Sequence, residues 1–433
     1  MRRRGASRQA PRDGGVAEGP VAADRPQAPV LDDARRLHPR GSRQGGLREY
    51  NERVVLQAIR LHGALAGVDI ARVTQLTAQT VSLITKRLLE EGLLLKGAPQ
   101  RGKVGQPSVP LSLHPEGAFS VGIKIGRRSM DVLLIDFTGT PRERSTLDYR
   151  FPDPQVLLPE IGQRLDALRR TLGPGPCERV QGVGIAAPLA IGGWQQLLGF
   201  PPAVAARWNG LDLRAQAQAV SPWPVTVVKD TAAACVAELV SGRGRQVDSF
   251  LYLFVDTFVG GGLVLDSRLW PGRTGNAGAV GSMPLWPASD QRPGTPPQLL
   301  AVASLLNLEQ AWAGAGLAID ADHRGLALAP PWRESTRRWL EQAGPAIAQA
   351  INASACLLDL EGVILDGSFS RELLDALMAA TQAALPRYSW EGVAAPRLMP
   401  GTIGSDARAL GGALLPLYAN FAPDRELFLK VAG

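Results

Sequence analysis

Residues 68–92 read VDIARVTQLTAQTVSLITKRLLEEG, and in this stretch two runs with helical apolar spacing flank a short turn. The first run predicts a helix over Val68 to Thr74. After a three-residue turn, the second run predicts a helix over Ala78 to Glu91, with Thr77 as its N-cap. Two short helices joined by a tight turn, the second polar on its leading face, are typical of a helix-turn-helix.

The flanking residues complete this unit. Apolar residues from Leu47 to Leu61 recur at helical spacing, which predicts a first helix that ends at Gly63. After the helix-turn-helix come three leucines, the segment GAPQRGKVGQP and the alternating VPLSL at 109–113. This pattern predicts a β-hairpin wing with a basic tip, and therefore a winged helix-turn-helix domain over residues 47–113.

Side chains of this unit are suited to duplex recognition. The second helix of the motif would enter the major groove, where short polar side chains reach base edges and Lys or Arg bind phosphates. Surface Lys and Arg also occur on small helical domains that bind no nucleic acid, but the wing and the charge distribution favour DNA binding. The candidate DNA contacts are Thr77, Gln79, Thr80, Ser82, Lys86, Arg87, Arg101, Lys103 and Gln106.

The net charge of +7 is concentrated at the amino-terminal end. Residues 1–46 hold ten arginines against five acidic residues, and residues 47–113 hold nine basic residues against five acidic ones. The remaining residues are slightly acidic. This asymmetry predicts a nucleic-acid-facing amino-terminal part on a neutral body, and the Pro/Gly/Arg-rich residues 1–46 are predicted to be a disordered basic tail.

The composition is that of a cytoplasmic globular protein. Of the 433 residues, 45% are hydrophobic and 20% are charged. The basic first residues are followed by no apolar segment, and the longest apolar run is interrupted by Asp256 and three glycines, so neither a signal peptide nor a membrane span is expected. Three widely separated cysteines without a CxxC motif argue against a zinc cluster or disulfides.

Residues 114–433 have an α/β pattern. FSVGIKIG and MDVLLIDFTG predict two antiparallel strands that turn at Arg127-Arg128. Helices are predicted over Pro159–Leu172, with the proline in the first turn, and over Ala301–Ala313. A hairpin is predicted to turn near Gly260–Gly262. Strand-rich segments that alternate with helices predict a duplicated α/β body of two lobes with a cleft between them.

Several motifs make the chain similar to the repressor branch of the repressor/ORF/kinase (ROK) family. They are NERVVLQAIRLHG (51–63), IARVTQLTAQTVSLITKRLLEEGLL (70–94), GQPSVPLSLHPEG (105–117), GVGIAAPLAI (182–191), RWNGLDL (207–213), VVKDTAAACVAE (227–238) and GNAGAVGSMPL (275–285). The resemblance covers residues 47–433. It implies a winged helix-turn-helix followed by a sugar-kinase-like, actin-like body of two lobes.

The motifs that bind phosphate in the family's kinases are altered. An acidic residue and a glycine-rich turn are replaced by Lys124 and by Arg127-Arg128, and the second phosphate hairpin carries Asp256 and Phe258. A carboxylate there repels phosphate, and a phenylalanine adds bulk where the backbone should approach closely. The resemblance therefore implies no bound ATP-magnesium cofactor, no catalytic residue and no kinase activity.

The family's sugar site is also altered. Its asparagine-aspartate pair appears as Lys229-Asp230, its glutamate as Ala279 and its histidine as Ser282, and the cysteines of the zinc loop are absent. No metal is therefore expected. The candidate ligand-binding residues implied by the resemblance are Asn209, Lys229, Asp230, Ala279 and Ser282.

Asp230, at the family's catalytic-base position, has two interpretations. It accepts a hydrogen bond from a ligand hydroxyl or pairs with Lys229, or else it is only the N-cap of the helix that follows. Lys229 beside Arg127 or Arg128 would favour an anionic effector such as a sugar phosphate or sugar acid.

Three hypotheses for the whole chain follow. The first is a regulator, active as a homodimer or homotetramer, that binds a double-stranded operator and senses a sugar, sugar phosphate or sugar acid. The second is a sugar kinase with an accessory DNA-binding domain. The third is a DNA-binding protein whose body binds no ligand and serves as a scaffold.

Overall fold

The computed structural model describes residues 44–99, 108–194, 198–286, 296–319 and 325–423. The tail predicted over residues 1–46 lies almost wholly outside these ranges. The wing tip, with Arg101, Lys103 and Gln106, lies outside them as well.

The predicted winged helix-turn-helix is confirmed. Its helices are α1 (Gln44–His62), α2 (Gly67–Thr74) and α3 (Ala78–Glu90). Its small sheet has the order β1-β3-β2, with β1 at Leu65–Ala66, β2 at Leu94–Lys96 and β3 at Pro110–Leu113. Thr77 caps α3 as predicted, because its hydroxyl accepts a hydrogen bond from the Thr80 amide at 3.2 Å.

The first lobe of the body is built on a five-stranded sheet of order β6-β5-β4-β7-β8. Strands β6, β5 and β4 are antiparallel neighbours, whereas β4, β7 and β8 run parallel. The predicted antiparallel pair is confirmed, with Lys124 opposite Asp131. The elements are β4 (Phe119–Ile125), β5 (Ser129–Asp136), β6 (Pro141–Asp148), α4 (Pro154–Leu172), α5 (Pro174–Glu178), β7 (Val180–Ala187), α6 (Pro202–Trp208), α7 (Leu213–Val220) and β8 (Val225–Lys229).

The second lobe repeats this plan with the sheet order β11-β10-β9-β12-β13. Two helices, α8 (Asp230–Ser241) and α13 (Ala407–Phe421), pack against each other; α13 also packs on β4, β5 and β7, and α8 also packs on β10. The two-lobed body is therefore confirmed. The other elements are β9 (Phe250–Val255), β10 (Gly260–Leu265), β11 (Arg268–Trp270), α9 (Leu300–Ala303), α10 (Leu305–Gly314), α11 (Arg333–Leu358), β12 (Gly362–Gly367), α12 (Arg371–Ala384) and β13 (Arg397–Pro400).

Three predicted boundaries were wrong. Helix α4 begins at Pro154, because the Asp153 carboxylate caps it by accepting from the Gln155 amide, and Pro159 lies inside the helix. The hairpin turns at 256–259, and the three glycines belong to β10. The helix predicted over 301–313 is divided at Ser304, whose extended backbone separates α9 from α10.

The helix-turn-helix unit and the body share one hydrophobic core. Ile59 of α1 belongs to the same buried cluster as Phe137 of the body and Leu417 of α13. The Arg60 guanidinium donates to the Phe137 carbonyl oxygen at 2.8 Å, and it lies 4.9 Å from the Phe137 ring and 5.5 Å from the Tyr418 ring. This cation–π contact fixes α1 on the carboxyl-terminal end of α13.

Helices α8 and α13 cross at an unusually short distance. A Cβ atom on Gly411 of α13 would lie 1.7 Å from the Ala233 carbonyl oxygen of α8. On the sheet side of the helix, a Cβ atom on Gly184 would lie 1.9 Å from the Gly412 carbonyl oxygen. Glycine is therefore required where α13 passes between its neighbours, since backbone atoms cannot yield as a side chain can.

We expect Gly411→Ala to lower the free energy of unfolding by about 3 kcal/mol, because the added methyl group meets backbone on a packed helix. Gly314→Ala is the matched control: its Cβ would meet nothing within 4 Å, and its effect should stay within about 1 kcal/mol. Urea denaturation followed by circular dichroism measures both. Equal stabilities for the two variants would contradict the close crossing.

Candidate DNA-reading face and interlobe ion cluster

The amino-terminal half of α3 presents an open polar face. Gln79 and Ser82 are exposed, and Lys86 is exposed one turn further on. The Thr77 and Thr80 hydroxyls lie 2.8 Å apart and hydrogen-bond to each other, so both threonines contribute to the helix cap. The same face carries Leu83, which is 66% exposed and which the sequence analysis did not single out.

Of the two cations predicted on α3, Arg87 is held inside the unit. Its guanidinium binds Glu52 of α1 at 2.9 Å and Glu91 at 2.8 Å. The hydrogen bond that Arg87 donates to Glu91, together with the charge of Glu52, raises the pKa of Arg87. Lys86 lies 4.0 Å from Glu90, and both side chains are open to solvent. Lys86 is therefore the more available of the two for an external phosphate.

In the body, a buried arginine joins the two lobes. Arg408, at the start of α13, is 5% exposed and forms an ion pair with Asp256 at the end of β9. It also donates to the Ser368 hydroxyl at 3.0 Å, and its guanidinium lies 5.2 Å from the Phe254 ring. Burial lowers the pKa of Arg408, but the charges of Asp256 and Asp230 raise it by more. The net effect is a raised pKa, and the guanidinium stays charged.

A second buried pair lies beside the first. The Lys124 ammonium binds Asp131 at 2.8 Å and the Ser129 hydroxyl at 2.9 Å. Burial and the charge of Arg408 lower the pKa of Lys124, although Asp131 opposes this. We call Lys124, Asp131, Asp230, Asp256 and Arg408 the interlobe ion cluster. Lys124, which stands where the family's kinases carry an acidic residue, is thus bound by side chains of its own chain.

Asp230 is a half-buried acid of this cluster. It is the first residue of α8, one position after the N-cap, and its carboxylate accepts from the adjacent Thr231 amide at 2.8 Å. The Lys229 ammonium donates to the Gly261 carbonyl oxygen at 3.2 Å. Burial raises the pKa of Asp230 and the charge of Asp256 adds to this, against the opposing charge of Arg408.

The turn between β4 and β5 is bound by a carboxylate of the other lobe. Arg127 binds the Glu309 carboxylate of α10 at 3.0 Å, and Arg128 binds both of its oxygens at 3.1 and 2.9 Å. These are the two arginines that the sequence analysis placed beside Lys229 for an anionic effector. In the structure they already have an anionic partner, and that partner closes the two lobes on each other.

The remaining predicted ligand residues occupy two places. Asn209 is exposed at the end of α6, and its side-chain oxygen approaches Gly192. Ala279 and Ser282 lie in the loop after β11, where the Gly278 backbone packs against β10. Lys229, which contacts Gly261 of β10, therefore lies near this loop. Ala279 is half-buried and Ser282 is exposed.

Sequence reasoning missed the contacts that Arg408, Glu309 and Glu238 make with distant parts of the chain. Glu238 of α8 is fully buried and accepts from the Arg243 and Ile403 amides, each at 2.8 Å. The single basic residue inside the small-residue segment SDARALGGALLPL is the signal that could have identified Arg408.

Within the described ranges, no group of three or more His, Cys, Asp or Glu side chains could hold a metal ion. Among the same residues, no helix is both long enough and apolar enough to cross a bilayer.

The architecture defines the class as a two-lobed α/β protein of the actin-like type that carries an amino-terminal winged helix-turn-helix. Residues 120–418 match the model of the ROK family, and the chain belongs to that family.

Similarity to individual proteins extends beyond the matched region. The chain is 24% identical to protein y4fQ of Sinorhizobium fredii over 86% of this chain and 91% of that protein. It is 22% identical to the xylose repressor of Bacillus subtilis over 55% of this chain, a match that spans 61% of the repressor's length.

Two solved structures have the same fold. A ROK family transcriptional regulator, a homologue of the Escherichia coli protein MLC, superposes with a TM-score of 0.65 at 20% identity, over 88% of this chain and 98% of that one. A ROK family glucokinase from Streptomyces griseus superposes with a TM-score of 0.53 at 20% identity, over 69% of this chain and 99% of that one. The family thus includes both regulators and sugar kinases.

We expect opposite effects from two carboxyl-to-amide changes in the interlobe ion cluster. Asp256→Asn removes the partner of a buried arginine and should cost about 3 kcal/mol of the free energy of unfolding. Asp230→Asn should stabilise the protein at pH 7. Because burial raises the pKa of Asp230, the folded state binds this proton more tightly than the unfolded state, and ionisation at neutral pH destabilises the fold.

Chemical denaturation at pH 7 and at acidic pH measures both effects. The gain from Asp230→Asn should vanish below the ordinary aspartate pKa of about 3.9, where the carboxyl group is protonated in both states. Asp406→Asn is the control, since its exposed pair with Arg144 is worth less than about 1 kcal/mol. A loss of stability in Asp230→Asn at pH 7 would show that Asp230 is mainly a structural ion.

Proposed function

We propose that this protein is a sequence-specific DNA-binding repressor of carbohydrate-related genes, whose ROK body senses a sugar or sugar derivative and transfers no phosphate. The observation that carries the proposal is the capped helix α3, which presents exposed Gln79, Ser82 and Lys86 on one face of a winged helix-turn-helix. A helix of this kind reads base edges in the major groove. The names of the relatives, a xylose repressor and a ROK transcriptional regulator, support the same proposal.

The interlobe ion cluster supports the absence of phosphoryl transfer. In the family's kinases the β4–β5 turn and the β9–β10 turn bind nucleotide phosphates. In this chain Arg127 and Arg128 of the first turn bind Glu309, and Asp256 of the second turn binds Arg408. A nucleotide would have to displace these pairs and would leave buried charges without partners, which is costly.

The shape of α13 supports a coupling between the body and the DNA-binding unit. The helix starts at Arg408 in the cleft and ends where Tyr418 contacts Arg60 of α1. An effector that binds differently to two arrangements of the lobes would displace this helix and with it α1. In a homodimer or homotetramer, such a displacement changes the spacing between the two reading helices, and only one spacing matches an operator.

A second candidate is the scaffold without a ligand. The observation that favours it is the clasp between Arg127, Arg128 and Glu309, which closes the lobes without help from a bound molecule.

DNA recognition can be tested on the full chain with two substitutions on α3. Gln79→Ala should narrow the affinity difference between the preferred duplex and random duplexes, because a base-edge hydrogen bond is lost. Lys86→Ala should weaken binding to all duplexes alike and reduce the slope of log K against log salt by about 0.9. Arg268→Ala, on β11 of the body, is the control. Binding that ignores both sequence and salt would refute the proposal.

Sensing can be tested by thermal shift with neutral sugars, sugar phosphates, sugar acids and ATP with magnesium. A ligand at about a hundredfold its Kd should stabilise the protein by about 2.7 kcal/mol. We expect a shift with a sugar or its acid, and the shift should weaken in Asp230→Ala but not in Asp266→Ala. A shift with ATP and magnesium would favour the kinase, and the absence of any shift would favour the scaffold.

A further inference from the structure

Leu83 is an apolar side chain on an otherwise polar face. It is 66% exposed, whereas its neighbours in the buried stripe of α3, Ile84 and Leu88, are 5% and 1% exposed. Leu83 therefore does not belong to the edge of the hydrophobic core. Leu83 borders an open groove between α3 and α1, together with Leu47 and Asn51.

The position of Leu83 on the helix is that of a base-reading residue. It is the sixth residue of α3, one turn after Gln79 and one turn before Lys86, and at about 100° per residue it projects about 40° from Gln79 and about 60° from Lys86. Ser82 projects about 100° from Leu83, on the other side of Lys86. Because residues four apart are neighbours on a helix surface, a base contacted by Gln79 places the adjoining base pair within reach of Leu83.

The chemistry of the major groove offers such a side chain one distinctive partner. Most groups on the base edges are hydrogen-bond donors or acceptors, which leucine cannot satisfy, but thymine presents its C5-methyl group. Contact with that methyl group removes apolar surface of both partners from water. Contact with any other base edge would bury a polar group against the leucine and cost free energy.

We propose that Leu83 is a specificity-determining residue that packs against the C5-methyl group of one thymine in each operator half-site. The inference rests on the proposed DNA-binding function and deepens it. Gln79 and Ser82 then supply hydrogen bonds to the neighbouring bases, and Lys86 binds the backbone. A half-site read in this way contains a thymine whose methyl group, and not its hydrogen-bonding edge, is recognised.

The test uses the full chain and its preferred duplex, selected from a random library. Each thymine of that duplex is replaced in turn by uracil, which removes only the methyl group. The wild-type protein should lose about fourfold in affinity at one thymine per half-site, the effect expected for one buried methyl group. Leu83→Ala should bind the thymine and uracil duplexes equally at that position and remain sensitive to changes at the other contacted bases.

Two controls accompany this variant. Ser82→Ala, on the same face, should keep the full sensitivity to the methyl group, and so should Leu357→Ala, an 82% exposed leucine of the body. Circular dichroism of Leu83→Ala should match that of the wild type, since its side chain lies outside the core.

The outcomes distinguish a failure of this inference from a failure of the proposed DNA-binding function. If the wild type selects a sequence but no thymine responds to methyl removal, or if Leu83→Ala responds as the wild type does, the inference is wrong and the proposed function stands. If Leu83→Ala alters only the association state of the protein, the leucine belongs to a contact between copies, and the inference again fails. If the wild type selects no sequence at all, both proposals fail.

Discussion

The ion pair between Arg408 and Asp256 is the contact on which the arrangement of the body depends. The arginine lies in the first turn of α13, which packs on the sheet of the first lobe, and the aspartate directly follows β9 in the sheet of the second lobe. The arginine is buried and the aspartate is half-buried, so the lobes cannot separate without leaving a buried charge without its partner. The clasp of Glu309 on Arg127 and Arg128 adds a second link between the lobes, nearer to solvent. Together they link the two lobes at two separate points.

Asp230 is the acid of the cluster whose ionised form the folded state does not favour. Arg408 forms an ion pair with Asp256, whereas it acts on Asp230 only by longer-range electrostatic attraction. Burial raises the pKa of Asp230. A half-buried carboxyl group whose ionisation the fold disfavours is a candidate for ligand binding, because an amide of the same shape would satisfy the Thr231 amide as well. In the proposed repressor this acid accepts a hydrogen bond from an effector hydroxyl group.

Local features of the structure were predictable and distant ones were not. The cap at Thr77 and the pairing of Lys124 opposite Asp131 follow from neighbouring residues, so the helix-turn-helix and the first hairpin were predicted correctly. The acidic partners of Arg408 and Arg128, Asp256 and Glu309, lie more than 150 residues away in sequence, and no short pattern identifies them. Leu83 was overlooked because a leucine in an amphipathic helix is usually part of the core, and only its exposure reveals the difference.

The crossing of α8 and α13 explains how one site in the cleft can act on a distant helix. Asp230 begins α8, and three residues later the Ala233 carbonyl oxygen meets Gly411 of α13 with no side chain between them. Because backbone contacts backbone at this point, a displacement of α8 moves α13 directly and is not absorbed by a side chain that changes its conformation. At its far end α13 carries Tyr418 against Arg60, and Arg60 also donates to the Phe137 carbonyl. In the proposed repressor, the glycine that makes this crossing possible is as necessary for the response as the acid that binds the effector.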